Sequence, residues 1–277
     1  MYCRLTVRLA RPHRVITLRG EPQVVHTETT DGVRRVTFDR PDVMNAFTSD
    51  LAAALADELE GLDPDSHDAV VLAGEGPAFS AGGDVQSMAA REETAREAYE
   101  RAEDSFGRLA EAAMESRVPI VAKVDGDAVG AGLALVALSD FAYAVPDARF
   151  SCAFVRVGLV PDTAGSFLLP RLVGLRAAKR LAFTAEFVDA EEAADLGLVN
   201  DVVPGADLDE TIEDLLGTLR ARPTETIGII RQALHDSLGK GWEDALDHET
   251  LLQSQAYGTD EHAEGVDAFL EGREPEF

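Results

Sequence analysis

Three short apolar runs, AVVLAG (69–74), PIVAKVDG (119–126) and DFAYAV (140–145), alternate along the chain with stretches of helical periodicity. Runs of that length are suited to buried strands, and strands that alternate with helices predict an α/β fold in which each turn of the chain stacks on the one before. Upstream, RRVTFDR (34–40) alternates as a further strand should. SDLAAALADELEGL (49–62) sets Leu51, Leu55, Leu59 and Leu62 at helical spacing, with Ser49 or Asp50 able to cap. A helix is expected from about Arg91 to Glu115 with Tyr99, Phe106 and Leu109 turned inward, an apolar helix over GAGLALVALS (130–139), and a short strand near Arg149 to Cys152.

From Asp207 the strand signal fades. Leu208, Ile212, Leu215 and Leu219 form one helical face, Pro223 opens another helix, and the acidic stretch from Trp242 to Leu270 continues helical. The expected organisation is a core over 23–205 followed by a helical region over 206–277. Residues 1–22 are expected to lie outside the fold: 1–20 hold five Arg and no Asp or Glu, and lack the apolar centre of a secretory signal.

With 51 Asp and Glu against 25 Lys and Arg, the formal charge is −26, which disfavours nucleic acid and anionic membrane surfaces as partners. The acid is spread along the chain, a composition suited to a salt-adapted protein of the cytoplasm. Cys3 and Cys152 are too few for a disulfide framework, and the six His show no metal-ligand spacing, so no metal is expected. The longest apolar passage, LALVALSDFAYAV, is interrupted by Asp140 and falls short of the ~20 apolar residues a membrane helix needs.

Two glycine loops each follow a predicted strand: AFSAGGDV (78–85) and GDAVGAGLAL (126–135). Neither has a phosphate-loop pattern. Each could be a tight turn; together they could aim two backbone N–H groups at one oxygen and form an oxyanion hole. A third segment, FVRVGLVPDTAGSF (154–167), sets one carboxylate, Asp162, among apolar and small residues. It could shape a turn or cap a helix, or it could exchange protons with a substrate.

Taken in order, FDRPDVMNAF, GEGPAFSAGGDV, VDGDAVGAGLALVALSD, GLVPDTAGSFLLPRLVG, EEAADLGLVNDVV and EGVDAFLEGREPEF resemble the successive motifs of the crotonase (enoyl-CoA hydratase/isomerase) superfamily, over about Val24 to Phe277. The resemblance implies a spiral of stacked ββα units with a C-terminal helical region, and a homotrimer or dimer of trimers. It implies an acyl-CoA thioester as substrate, with no cofactor beyond the coenzyme A the substrate carries. By motif position the two donors would be the N–H groups of Gly83 and Ala131, the latter standing where many relatives have Gly. Val43, Ala46, Ser80, Ala81, Gly82, Asp84, Gly130 and Phe154 would contact substrate.

The two Glu of hydratases would fall at Ala134 and Phe154, neither of which can carry a proton. Asp162 occupies the place where dienoyl-CoA isomerases and ring-1,2-epoxyphenylacetyl-CoA isomerases resembling this chain hold an Asp, and its neighbours Val160, Pro161 and Phe154 predict a raised pKa. The leading expectation is an isomerase with Asp162 as base. A hydratase using Asp162 and water, and a non-catalytic acyl-CoA binding or assembly protein, are the alternatives. Structural packing is the expected duty of Asp84 and Asp140, and Asp127 is expected to be solvated. Arg156 and Arg171 are candidates for the CoA phosphates or for surface pairing, and Val157 and Phe167 for the acyl pocket or the core.

Overall fold

The computed structural model describes residues 24–277, so the expected extension over 1–22 lies outside the described residues. The chain opens with strands β1 (Val25–Thr30) and β2 (Val33–Phe38), helix α1 (Ser49–Glu60) and β3 (Ala69–Gly74). Two short helices, α2 (Val85–Ala89) and α3 (Ala95–Ala102), lead through a π turn (Glu103–Gly107) into α4 (Arg108–Glu115). Then come β4 (Ile120–Val124), β5 (Ala128–Val129), α5 (Ala131–Leu138), β6 (Phe141–Ala144) and β7 (Arg149–Ser151). After a 3₁₀ turn at Ala153–Val157 follow α6 (Gly165–Leu172), α7 (Gly174–Thr184), β8 (Val188–Asp189), α8 (Ala190–Asp195) and β9 (Asp201–Val202). Helices α9 (Leu208–Arg220), α10 (Thr224–Ser237), α11 (Trp242–Ala256) and α12 (Asp260–Glu271) complete it.

Among the described residues, six strands form the main sheet in the order β1-β2-β3-β4-β6-β9, antiparallel only between β1 and β2. A smaller sheet joins β5, β7 and β8. Strand periodicity sorts the core: Val36, Phe38, Val70, Leu72, Ile120 and Ala122 face α1, α4 and α5, while Val33, Val71 and Val121 face α9. Because sheet covers one side of α5 and other helices the rest, all eight of its residues are buried.

Two expectations change. The helix proposed for 91–115 starts at Ala95 and is interrupted by the π turn, and Tyr99 points outward at 64% exposure, because α3 turns Ala98 and Ala102 rather than its tyrosine toward a cavity. On α9 the buried residues are Leu208, Ile212, Leu216 and Leu219, with Leu215 only partly buried at the edge of the same cluster.

Helix α10 is fastened to the core by Arg231, which is buried. Its Nε donates to both Asp140 oxygens at 2.9 and 2.8 Å, Nη1 to the Ser116 carbonyl at 2.5 Å and Nη2 to the Ala113 carbonyl at 2.7 Å. These carbonyls belong to the last turn and exit of α4, which an α-helix leaves unpaired. Asp140 also accepts the Ile120 N–H at 2.7 Å, as befits its expected packing role. Arg231→Met is expected to lower the free energy of unfolding by about 3–5 kcal/mol, because it strands a carboxylate and several carbonyls together. Denaturant titration measures this, and a loss below about 1 kcal/mol would show that the clamp contributes little.

The surface carries local ion pairs, such as Arg108 with Asp57 and Glu60, but 51 Asp and Glu against 25 Lys and Arg leave a net charge of −26. Raising KCl shortens the Debye length from ~30 Å at 0.01 M to ~3 Å at 1 M. Repulsion between the surplus acids is long-ranged and is screened more than close pairs. The melting temperature is therefore expected to rise from millimolar to molar KCl; a flat or falling curve would show that the acid is not a salt adaptation.

Candidate active site

The two glycine loops are laced together edge to edge. Ser80 donates its N–H to the Asp127 carbonyl at 3.0 Å and accepts the Val129 N–H at 2.8 Å. Phe47 brackets the first loop from the other side, donating to the Gly82 carbonyl at 2.6 Å and accepting from Asp84 N–H at 2.9 Å. Ala81 N–H is taken by the Met44 carbonyl, Gly82 N–H by Ser80 Oγ and Gly130 N–H by the Ser151 carbonyl. This pattern claims the N–H groups of Gly82, Asp84 and Gly130, and among the described residues no hydrogen bond takes those of Gly83 and Ala131. Ala131 is also the first residue of α5, whose N-terminal N–H groups have no partner within the helix.

Glycine is required at Gly82, where φ is +91° and a Cβ would stand 2.7 Å from the Val129 carbonyl oxygen. Gly130 adopts φ +53° and ψ −114°, which turns the chain sharply into α5.

Gly83 and Ala131 line a cavity of about 640 Å³, together with Gly82, Gly130, Phe154 and Asp162. Asp162 sits on the turn before α6, where Thr163 (φ +52°) and Ala164 (φ +58°) are both left-handed and the Gly165 N–H closes onto the Asp162 carbonyl at 2.7 Å. A β-branched residue in that region is strained by about 1–3 kcal/mol, and such strain persists only where the surroundings enforce it. Thr163 is buried, and its hydroxyl donates to Asp162 Oδ1 at 3.0 Å. The carboxyl is open to water in the cavity, yet protein crowds it. That desolvation raises its pKa above the ordinary carboxylate value, against the smaller lowering by the Thr163 hydroxyl and its own backbone N–H.

The remaining sequence candidates divide. Ala81 lines the cavity, whereas Val43, Ala46, Ser80 and Asp84 stand outside its lining. Ser80 is fully buried, with Oγ donating to the Asn45 carbonyl at 2.9 Å, and it holds the loop. Asp84 caps α2 through the Ser87 N–H at 2.9 Å and pairs with Arg40 at 3.0 Å, and the Ser87 bond foremost holds its pKa below the ordinary value. Ala134 is buried, 3.4 Å from where a Cβ on Gly165 would stand.

Asp127, expected to be solvated, is instead forked by Arg149 at 3.0 and 2.5 Å. Arg156 lines the cavity but donates to the Ala185 carbonyl at 2.5 Å, and Arg171 lies 3.7 Å over the Phe167 ring. Val157 lines the cavity, while Phe167 is outside its lining. Sequence reasoning missed the wall formed by Met88, Ala98 and Ala102; the inward placement of Phe106 was its one legible sign. Among the described residues no group of three His, Cys, Asp or Glu could hold a metal ion, and no helix is long and apolar enough to cross a membrane.

Two free N–H groups and a partly desolvated carboxyl that line one cavity can stabilise an oxyanion while a proton moves. The family model for enoyl-CoA hydratase/isomerase matches residues 28–277. A probable enoyl-CoA hydratase of Rhodobacter capsulatus is 35% identical, over 91% of this chain and 97% of the relative. The 1,2-epoxyphenylacetyl-CoA isomerase of Escherichia coli is 32% identical, over 89% of this chain and 95% of the relative. The crystal structure of an enoyl-CoA hydratase from Mycobacterium smegmatis superposes with a TM-score of 0.85 at 35% identity, covering 92% of this chain and 99% of that one. The chain has the crotonase fold and belongs to the enoyl-CoA hydratase/isomerase family.

Proposed function

We propose that this protein is an acyl-CoA isomerase that moves a double bond, or rearranges the epoxide of an aromatic acyl-CoA, through a thioester enolate. The observation that carries the reading is Asp162, which lines the cavity together with Gly83 and Ala131 and has no cation partner among the described residues, whereas the other carboxyl of the lining, Glu93, is paired with Arg101 and Ala134 and Phe154 can carry no proton. The thioester carbonyl accepts from both N–H groups. Asp162 takes a proton from the carbon next to it, and the electron pair moves onto the carbonyl oxygen as the enolate forms. In a 3-enoyl thioester the same carboxyl returns the proton two carbons further along as the carbonyl re-forms, so atoms and charge balance without a cofactor. Each donor contributes about 3–4 kcal/mol to stabilising the enolate, judged by deletion of comparable donors. The raised pKa of Asp162 makes its acid form present when the proton must be returned.

The second reading is a hydratase in which Asp162 handles water, favoured by the name of the Rhodobacter relative. A panel of 2-enoyl-, 3-enoyl- and epoxyphenylacetyl-CoA thioesters with product identification decides. Isomers without 3-hydroxyacyl product support the proposal; 3-hydroxyacyl-CoA as the main product overturns it.

The helices from 206 onward are proposed to mediate a trimer or a dimer of trimers. They expose Trp242, Leu234, Phe269 and Leu270 at 74, 65, 85 and 75%. Large apolar side chains this exposed are suited to association surfaces. The expected mass by light scattering is three or six chains, and a stable monomer would contradict it.

A further inference from the structure

One wall of the cavity has no part in the proposed proton transfer. Met88, Ala98, Ala102 and Phe106 line it, supplied by α2, α3 and the π turn. Along an α-helix each residue advances about 100°, so positions four apart drift steadily round the axis. Ala98 and Ala102 are one such step. A second α-helical step would carry residue 106 further round, but at Glu103–Gly107 the helix widens and the Arg108 N–H reaches back five residues to the Glu103 carbonyl. Each residue of that turn advances less, which cancels the drift and brings Phe106 back into line with the two alanines.

The widening has a local cause. Ser105 is buried and donates its hydroxyl to the Arg101 carbonyl at 2.6 Å, a back-bond that bends helices. The ring of Phe106 is braced from behind by Phe47, centroid to centroid 6.5 Å. Phe47 is also the residue whose backbone brackets Gly83. The ring that closes this wall is therefore anchored to the segment that presents one of the free N–H groups.

The same cavity is bordered by an ion pair, Arg101 donating to both oxygens of Glu93 at 2.9 and 2.7 Å. An alkyl chain filling the cavity would strip water from that pair, which costs free energy. The small side chains of Ala98 and Ala102 line the cavity together with the aromatic side chains of Phe106 and Phe154, a lining that suits a flat group.

We propose that the π turn sets the acyl specificity of this site, and that the acyl group it selects is compact and planar, ring-sized and unsaturated or aromatic, rather than a long alkyl chain. This rests on the cavity being the acyl-CoA site, and its test reads binding rather than turnover. Dissociation constants for acetyl-, phenylacetyl- and decanoyl-CoA are measured by calorimetry on the full-length protein, on Phe106→Ala and on Ala102→Phe. The unmodified protein is expected to prefer phenylacetyl- over decanoyl-CoA by on the order of 10-fold. Phe106→Ala should reduce that preference at least about fivefold, and Ala102→Phe should weaken phenylacetyl-CoA about tenfold while changing acetyl-CoA by less than about threefold.

Equal or tighter binding of decanoyl-CoA by the unmodified protein overturns the proposal. So does a preference that Ala102→Phe leaves unchanged while acetyl-CoA still binds, and this arm decides even where Phe106→Ala does not fold. Because saturated thioesters cannot isomerise, the predicted preference in a protein that isomerises nothing would sustain this inference and refute the isomerase reading. Absence of binding to all three thioesters would refute both.

Discussion

Asp162→Asn is expected to lower turnover by a factor of about 100 to 10,000 while leaving the affinity for a CoA thioester within about threefold. Asparagine fills the same space and keeps a group that can accept from Thr163, but it cannot take and return a proton. No other carboxyl is set to substitute: Asp84 is spent on the cap of α2 and on Arg40, and Glu93 is spent on Arg101. Stability separates this reading from a turn-shaping carboxylate. Desolvation raises the folded-state pKa of Asp162, so the folded chain binds more protons than the unfolded one between the two pKa values. Folding stability therefore falls as pH rises through that window, and above it the ionised carboxylate costs stability that an amide does not. The variant is expected to melt at or above the unmodified protein at neutral pH. A carboxylate that merely capped α6 would instead lose about 1 kcal/mol on replacement and leave turnover alone. Unchanged turnover with authentic product would remove Asp162 from the mechanism.

Gly82→Ala carries the second large effect. The residue sits at φ +91°, and its Cβ would meet the Val129 carbonyl oxygen at 2.7 Å, a backbone atom of the other loop that cannot swing aside. The two loops must part or twist, and the Gly83 N–H, one residue along, moves with them. Loss of one aimed donor lowers turnover by about 100- to 1,000-fold. Gly174→Ala isolates backbone strain from displacement, since its φ is +77° with nothing within 4 Å of the added carbon. That variant is expected to lose about 1 kcal/mol of stability and no activity. Wild-type turnover in Gly82→Ala, measured on folded protein, would show that the loop geometry does not set the rate.

Much of this site was legible in the chain, and the illegible part has physical causes. The glycine loops stood out because each ends an apolar strand, and Asp162 because it is a lone carboxylate among apolar neighbours. Which residues of a loop face the cavity was harder to read. Ala81, Gly82 and Gly83 line the cavity while Ser80 and Asp84 on either side hold the loop in place, a division set by the left-handed turn at Gly82 and the bonds of Ser80 and Asp84 to neighbouring segments. The left-handed pair Thr163 and Ala164 could not be read from residue type, because a threonine argues against that conformation and only tertiary packing imposes it.

Helix periodicity misled at Tyr99 for a related reason. An inward stripe was assumed to be large and apolar, but the stripe on α3 consists of alanines facing an open cavity, which leaves the tyrosine outside. The π turn that follows shifts the register by a fraction of a turn, and a back-bonding serine is too common a residue to announce it. The strands and the apolar face of α9 were predictable because burial against a sheet demands large side chains at fixed spacing.

The most direct measurement is hydrogen exchange at the carbon next to the thioester carbonyl, followed by NMR with phenylacetyl-CoA in deuterated buffer. This ligand cannot isomerise, so the signal reports proton removal and enolate stabilisation alone. The protein is expected to exchange those protons far faster than free solution does, at a rate that falls as pH drops through the raised pKa of Asp162, because only the ionised carboxylate accepts a proton. Asp162→Asn is expected to lose at least 100-fold of that rate. Equal exchange by the variant, or no exchange above background by the unmodified protein while phenylacetyl-CoA is shown to be bound, would contradict proton transfer by Asp162 opposite the N–H groups of Gly83 and Ala131.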